Sequence, residues 1–192
     1  MGKTKELKYY DVQKVNTIKQ LLEMAVEQAG DKIAFKYKEG KDKVKDVTYK
    51  EFQEDTFELG TALNSINMAD KHVAVIGDNS YKYVTVYLTV LKSKGVIVPI
   101  DKELPVYDII NVLNDSDSEI LFYEKDIEEI ASKTPNVKYF IGFETEKSEG
   151  NKLSYNEFKA EGKKLYEGGD KTYTEMVPDH NSLKMLVYTS GT

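Results

Sequence analysis

A chain of 192 residues, of which 40% are hydrophobic and 31% charged, has the length and composition of one globular domain, which argues against a disordered protein. Its 27 basic residues are all lysines, dispersed among 33 acidic residues, so the net charge of −6 argues against nucleic acid as a partner. The absence of cysteine excludes disulfides, thiolate metal sites and a thiol nucleophile, and only His72 and His180 offer imidazole. We therefore predict no metal site.

The amino terminus shows no sign of a targeting segment, because MGKTKELKYYD is basic but no apolar region follows it. The most apolar stretch, residues 83–91, is far shorter than the roughly 20 residues that a membrane span needs. We predict a cytoplasmic protein without a transmembrane segment, in which residues 1–16 are an extension and residues 17–192 form one α/β unit. The sequence leaves the oligomeric state open.

The first predicted elements are a helix and a hairpin. Thr17, with Gln20 three residues later, is typical of a helix start, and Gly30 ends the apolar periodicity that follows. The alternating segments 33–38 and 43–47 then predict a small β-hairpin at the edge of a sheet.

Two capping boxes mark two further helices. Thr48 with Glu51 predicts a helix start after residue 47, and Ser154 with Glu157 predicts a second start, for a helix that reaches about Gly168. Loss of the Ser154 cap in a Ser154→Ala variant is therefore expected to cost about 1 kcal/mol.

Between those two helices, short apolar runs alternate with helical segments, and this alternation is typical of a parallel sheet flanked by helices on both faces. The predicted strands lie at 73–76, 96–99, 120–123 and 138–143, with helices after Ser80 and Pro105. One more predicted strand, at 184–188, runs directly into the last four residues.

Those last four residues, Thr189, Ser190, Gly191 and Thr192, predict a phosphate-binding loop. Parallel α/β sheets bind ligands at the carboxyl ends of their strands. Gly191 permits close backbone approach, and the three hydroxyl groups add donors for an anionic oxygen. Taken alone, the five residues 188–192 are more often the end of a strand followed by a plain polar turn, and the glycine spacing of a P-loop is missing.

Other polar segments are better explained structurally. Gly77-Asp78-Asn79-Ser80 has one glycine where a dinucleotide fingerprint needs three, so it is predicted to be a turn that caps a buried helix. Asp101, Lys102 and Glu103 are predicted to form a solvated turn between two prolines. The acidic runs are predicted to be solvated faces, and neither histidine is assigned a role. We predict no catalytic residue in this chain.

The order of four segments resembles the AMP-forming acyl-adenylate synthetase/ligase superfamily. These segments are VTYKEF from Val47, VAVIGDNSYKY from Val73, GVIVPIDKELP from Gly95 and MLVYTSGT from Met185. The second and third look especially like bacterial long-chain fatty acid:CoA ligases. One departure is Asn67-Met68-Ala69-Asp70, where the family usually has a glycine in the turn.

The resemblance implies an α/β amino-terminal subdomain of a ligase that uses ATP, Mg²⁺ and CoA. In such a ligase a fatty carboxylate attacks the ATP α-phosphorus, giving acyl-AMP and pyrophosphate, and the CoA thiol then attacks the acyl-AMP. The resemblance assigns the ATP phosphate loop to Thr189, Ser190, Gly191 and Thr192, and the family's loop continues beyond that point. The 192 residues alone are therefore expected to be inactive, and acyl-AMP formation by them would contradict this.

Two other functions stay open on the sequence alone. One is a ligase for a different carboxylic acid, because no acyl-pocket motif is matched. The other is a non-catalytic α/β interaction module. A reading frame that continues past residue 192 with glycine and lysine would favour a ligase, whereas a stop codon would favour the module.

Overall fold

The computed structural model describes residues 12–40, 43–124 and 127–189, and within them the chain forms an α/β fold. The helices are α1 (Ile18–Ala29), α2 (Tyr49–Ser65), α3 (Tyr81–Lys92), α4 (Val106–Asp115), α5 (Glu128–Lys133) and α6 (Tyr155–Glu167). The strands are β1 (Ile33–Glu39), β2 (Lys43–Thr48), β3 (His72–Ile76), β4 (Val96–Ile100), β5 (Ile120–Tyr123), β6 (Tyr139–Gly142) and β7 (Lys152–Ser154).

Five strands form one parallel sheet in the order β4-β3-β5-β6-β7, which confirms the predicted fold class. Strand β3 pairs with both β4 and β5, so that Val73 lies opposite both Ile97 and Ile120. Strand β4 therefore lies on one side of β3 and the later strands on the other, so the order in which strands are added reverses at β3. The carboxyl ends of β3, β4 and β5 lie at the same edge of the sheet.

Helices cover both faces of this sheet because successive strand residues point to opposite sides. One face packs on α2, α3 and α6, with a core that includes Val73, Val75, Ile97, Ile120, Phe122 and Ile141. The other face packs on α4 and α5, with a core that includes Ala74, Val98, Ile100, Leu121, Tyr123 and Phe140. Because helices bury both faces of the sheet, its strands are apolar at almost every position.

The hairpin β1–β2 is present, but its predicted place at the edge of the main sheet is wrong. It forms a separate two-stranded antiparallel sheet. Aromatic rings attach it to the helices: the Phe35 ring centroid lies 4.8 Å from that of Phe52 in α2, and Tyr37 stacks on Tyr81 of α3 at 4.8 Å. Ring contacts with helices thus hold a hairpin that has no strand neighbour in the described chain.

The first two helix starts follow the predicted caps. The Thr48 hydroxyl accepts from the Glu51 N–H at 3.2 Å, and the Glu51 carboxylate accepts from the Thr48 N–H at 2.7 Å, which completes the box. The Thr17 hydroxyl likewise accepts from the Gln20 N–H at 3.1 Å. Both caps satisfy N–H groups that a helix start leaves unpaired.

The capping box predicted at Ser154 and Glu157 is wrong, although α6 does begin after Ser154. Glu157 accepts instead from the Ser148 N–H at 2.9 Å, while the buried Ser154 hydroxyl has no hydrogen-bond partner. The reason is that Ser154 also ends β7 opposite Gly142, and its own N–H is held by the Ser148 hydroxyl at 3.0 Å. Strand pairing thus overrides the local motif.

Replacing Ser154 by alanine should therefore leave the free energy of unfolding within about 0.5 kcal/mol of wild type, because no cap is lost and an unpaired buried hydroxyl is removed. Urea unfolding of both proteins measures this. Thr48→Ala is the control with a real cap and should lose about 1 kcal/mol. Equal losses of unfolding free energy in the two variants would show that Ser154 does cap α6.

The turn without the family's glycine is accommodated by asparagine. Asn67 has φ of 58°, and the Met68 N–H closes the end of α2 on the Leu63 carbonyl at 2.9 Å. Asparagine tolerates this left-handed conformation better than most residues with a Cβ. Asn67 therefore supplies the left-handed residue that this turn needs without a glycine.

Helices α2 and α6 make a close contact that depends on glycine. A Cβ on Gly162 would lie 2.0 Å from the Glu58 carbonyl oxygen and 2.7 Å from the Ala62 Cβ. Gly60 similarly leaves room for the ring of Tyr173, whose hydroxyl donates to the Thr89 carbonyl at 2.7 Å. The backbones of α2 and α6 can approach only because side chains are missing at the crossing.

One charged side chain is buried beneath α1. Lys92, the last residue of α3, is 2% exposed, and its Nζ donates to the Thr56 hydroxyl at 2.7 Å and lies 4.4 Å from the Phe57 ring centroid. Burial, partly offset by Glu23, lowers the pKa of Lys92 to about 7.

Candidate functional site

The candidate site is the edge where the carboxyl ends of the parallel strands meet. The loops after β3, β4 and β5 begin there with Gly77, Asp101 and Glu124. This edge lies beside the point where the strand order reverses, which is where open α/β sheets bind ligands.

The carboxyl-terminal segment runs along the outer side of β4 toward the same edge. Met185 forms a parallel bridge with Ile97: the Ile97 N–H donates to the Lys184 carbonyl, and the Leu186 N–H donates to the Ile97 carbonyl, both at 3.0 Å. Met185 faces the α3 layer and Leu186 the α4 layer, as strand residues would. The direction predicted for this segment is therefore correct.

The strand predicted at 184–188 is nevertheless wrong in extent, because pairing with β4 stops after Leu186 within the described chain. The next bond of the ladder would come from the N–H of residue 99, two residues beyond Ile97, and Pro99 has no N–H. Val187 is then 59% exposed.

Beyond the bridge, Tyr188 makes a side-chain contact in place of strand pairing. Its hydroxyl donates to the Asp115 carboxylate at the end of α4 at 2.7 Å. Partial burial, and then Asp115, raise the pKa of Tyr188 to about 12, so the phenol stays protonated as a donor at neutral pH.

Of the four predicted phosphate-loop residues, the structure describes only Thr189, which is exposed. Ser190, Gly191 and Thr192 lie outside the described residues. The observed direction of residues 184–186 leads Thr189 away from the amino ends of the strands.

Charged side chains from the three strand-end loops come together at this edge. The Asp78 N–H donates to the Glu124 carboxylate at 2.8 Å, and the Lys102 ammonium contacts the Asp78 carboxylate. The hydrogen bond to Asp78 raises the pKa of Lys102. Sequence reasoning treated Asp78 and Lys102 as parts of two separate turns and missed this link. Their common position after parallel strands is the signal that would have joined them.

A small cavity of about 160 Å³ lies at the same edge. Most of its lining is apolar, with Lys102 and Glu124 as its charged members: Ile76, Gly77, Lys102, Leu104, Val106, Ile109, Tyr123, Glu124, Ile127 and Ile130. It is smaller than the roughly 300 Å³ at which ligand pockets usually begin.

The two histidines do not join this edge. His72 Nδ1 lies 2.6 Å from the Ser116 carbonyl oxygen, and the exposed His180 lies beside Asn181 at 3.2 Å. Within residues 12–40, 43–124 and 127–189, no three His, Asp or Glu side chains cluster so as to hold a metal ion. The same ranges contain no helix long and apolar enough to cross a membrane.

A parallel sheet with helices on both faces and charged loops at the carboxyl ends of its strands is an open α/β fold, the class that binds ligands at that edge. The family described as AMP-binding enzyme matches residues 22–192, and the chain belongs to that family.

Two curated proteins are similar in sequence. One component of the mycosubtilin synthase of Bacillus subtilis is 32% identical over 117 residues, which are 60% of this chain and 4% of that protein. Tyrocidine synthase 3 of Brevibacillus parabrevis is 27% identical over 147 residues, which are 76% of this chain and 2% of that protein. The chain thus spans a small part of either relative.

Three solved structures share the fold. An anthranilate CoA ligase in complex with anthranoyl-AMP has a TM-score of 0.67 at 19% identity, over 76% of this chain and 28% of that one. The A-PCP didomain of carboxylic acid reductase from Segniliparus rugosus, in complex with AMP, has a TM-score of 0.67 at 18% identity, over 93% of this chain and 30% of that one. A structure described as a putative long-chain-fatty-acid CoA ligase from Rhodopseudomonas palustris has a TM-score of 0.63 at 16% identity, over 74% of this chain and 36% of that one.

Proposed function

We propose that residues 17–192 are the amino-terminal subdomain of an adenylate-forming ligase, in which Thr189, Ser190, Gly191 and Thr192 begin the loop that holds the ATP phosphates. The observation that carries this proposal is the parallel run of residues 184–186 beside β4, which directs the chain toward the ligand-binding edge of the sheet. Membership of the AMP-binding enzyme family supports it.

In the proposed reaction, a carboxylate attacks the ATP α-phosphorus, and the bond to pyrophosphate breaks as acyl-AMP forms. The part of this chain is to position phosphate oxygens through backbone N–H groups around Gly191 and the hydroxyls of its neighbours. Mg²⁺ would bind together with ATP, because it commonly binds proteins through substrate phosphates.

For the acid itself we propose a long-chain fatty acid, with CoA as the thiol that receives the acyl group. The support is the resemblance of the segments from Val73 and Gly95 to bacterial long-chain fatty acid:CoA ligases.

The second candidate substrate is a different carboxylic acid, and the comparisons support it. Neither similar curated protein is named as a fatty acid ligase, and one of the structural neighbours holds anthranoyl-AMP. Acid-dependent ATP–pyrophosphate exchange by the full-length protein separates the two. Exchange driven by palmitate supports the first candidate, and exchange driven only by aryl or amino acids supports the second.

Substitution of Gly191 by valine in the full-length protein should lower the rate of ATP–pyrophosphate exchange at least about ten-fold, because a Cβ restricts φ and blocks backbone approach to phosphate. The thermal midpoint should change little. Exchange kinetics at varied ATP concentration, with the thermal midpoint of each protein, give the result.

The matched control for Gly191→Val is Gly150→Val. Gly150 has φ of 58° and open space where its Cβ would lie, so this variant should lose some stability and keep the exchange rate. If Gly191→Val keeps ordinary ATP dependence, the phosphate-loop assignment is wrong. If both valine variants are less stable but keep the wild-type exchange rate, Gly191 is only a structural turn.

A further inference from the structure

Lys92 ends α3 at the place where α1, α2 and α3 pack on one another. It is 2% exposed, and its Nζ donates to the Thr56 hydroxyl and lies over the Phe57 ring. Within the described ranges, that hydroxyl is the one hydrogen-bond acceptor of an ammonium that carries three N–H donors. The protonated side chain is therefore poorly solvated while the three helices stay packed.

The charged groups that act on Lys92 both belong to α1. Glu23 favours the protonated form and Lys19 opposes it. Glu23 is also shared, because Lys19 Nζ lies 3.9 Å from its carboxylate. The other helices face Lys92 with neutral groups: Phe57 of α2, and Tyr166 of α6, whose ring centroid lies 5.7 Å from that of Phe57. Burial therefore outweighs Glu23 and lowers the pKa of Lys92 to about 7.

Helix α1 is the least buried of the three helices around Lys92. None of its 12 residues is buried, whereas Leu59 of α2 and Val90 of α3 belong to the main core. Segments with few buried apolar contacts open at a lower free energy than the core does. Of the three helices, α1 is the one that can leave Lys92 while the sheet stays folded.

The two ends of α1 are held in different ways. After the helix, the Gly30 carbonyl accepts from the Lys50 N–H of α2 at 3.0 Å. Near its start, Lys19 Nζ donates to the carbonyls of Thr174 and Met176 at 2.7 and 2.9 Å. A backbone bond thus ties the carboxyl end to α2, while a flexible side chain ties the amino end to residues 174–176. This arrangement lets α1 move about its carboxyl end.

We propose that α1 is a pH-sensitive lid over Lys92: protonation of Lys92 favours release of α1 from α2 and α3 while the parallel sheet stays folded. The released form is a minor population that amide hydrogen exchange detects. The inference concerns this helix alone and holds whichever acid the protein activates.

The direction of the pH effect follows from proton linkage. With α1 released, Lys92 reaches water and its pKa returns toward 10.5, whereas with α1 packed its pKa is about 7. Between these values the released form binds more protons than the packed form. The population of the released form should therefore fall about ten-fold for each pH unit gained from about pH 8 to about pH 9.5.

Amide hydrogen exchange of α1 peptides in the full-length protein tests this over the same pH range. The chemical step of exchange is catalysed by hydroxide, so an opening that is independent of pH gives rates that rise about ten-fold per pH unit. In the wild type the falling population of the released form should cancel this rise, so α1 exchange should stay nearly constant. In Lys92→Met, α1 exchange should rise about ten-fold per pH unit.

Two controls isolate the cause. Lys94→Met removes an exposed lysine two positions further along and should keep the nearly constant exchange of the wild type. Peptides of α4, which packs on the opposite face of the sheet, should exchange about ten-fold faster per pH unit in every protein. Conditions are chosen so that each α1 peptide shifts as a single isotopic envelope, because α1 then recloses faster than it exchanges.

Lys92→Leu repeats the test with a shorter side chain, so that a packing defect in the methionine variant does not decide the outcome. Wild-type α1 exchange that rises with pH as steeply as in both Lys92 variants overturns the inference. Constant exchange that appears equally in peptides of β3 and β5 shows that only global unfolding exposes Lys92, which also overturns it.

Discussion

Replacing Gly162 by alanine should lower the free energy of unfolding by about 2–4 kcal/mol, a large part of the stability of an ordinary domain. The added Cβ would lie 2.0 Å from the Glu58 carbonyl oxygen and 2.8 Å from the Ala62 nitrogen, and backbone atoms cannot rotate away as a side chain can. Helices α2 and α6 would have to separate. Because alanine favours a helix over glycine by about 1 kcal/mol, the steric cost must exceed that gain.

Urea unfolding measures this loss, and Gly168→Ala is the matched control. Gly168 follows the same helix with an ordinary φ of −71°, so its alanine variant should change stability by less than about 1 kcal/mol. A Gly162→Ala protein as stable as wild type would show that α2 and α6 do not pack as closely as described.

Replacing Lys92 by methionine should raise the free energy of unfolding at pH 7 by about 2–4 kcal/mol, because a buried cation with one hydroxyl partner gives way to an apolar side chain of similar length. Thr56 loses little, since its hydroxyl keeps the Gln53 carbonyl at 2.7 Å as an acceptor.

The pH dependence identifies the cause. The pKa of Lys92 falls from an ordinary 10.5 to about 7 in the folded protein, so between these values the unfolded chain binds more protons. The wild-type free energy of unfolding should therefore rise as pH increases from about 7 toward 10.5, and the cost of the buried charge is full below pH 7. The methionine variant should lack this contribution.

Lys94→Met removes the same charge from an exposed neighbouring position and is the matched control. It should change stability by less than about 0.5 kcal/mol. Parallel pH profiles for wild type and Lys92→Met, with no gain at neutral pH, would show that Lys92 reaches solvent.

The sequence predicted the regular part of the fold because its signals are local. The boxes and caps at Thr17 and Thr48, and the apolar runs of β3 to β6, depend on residues a few positions apart. Strand β7 and helix α5 were missed because three and six residues carry too little periodicity. The box at Ser154 failed since β7 pairs with β6, and Ser148 in the loop between the two strands bonds both the Ser154 N–H and the Glu157 carboxylate.

For the candidate site, the sequence indicates an edge of the sheet but not which side chains meet there. The strand predicted before Thr189 indicated the carboxyl edge, and the parallel bridge at Met185, although shorter than that strand, has the same direction. The contact of Lys102 with Asp78, and the limit that Pro99 places on the strand, both depend on which elements become neighbours. Strand order is a tertiary property, so local patterns in the sequence do not contain it.

The ring of Tyr173 against Gly60 has a consequence for synthesis of the chain on the ribosome. These residues are separated by 113 positions, so at about 5–20 residues per second the face of α2 waits roughly 6–23 s for the ring that covers it. The sheet pairs β3, β4 and β5 become available much earlier. The nascent chain must therefore carry a partly built sheet while the surface of α2 around Gly60 still lacks the Tyr173 ring, and in this interval a chaperone or a neighbouring nascent chain can reach that surface.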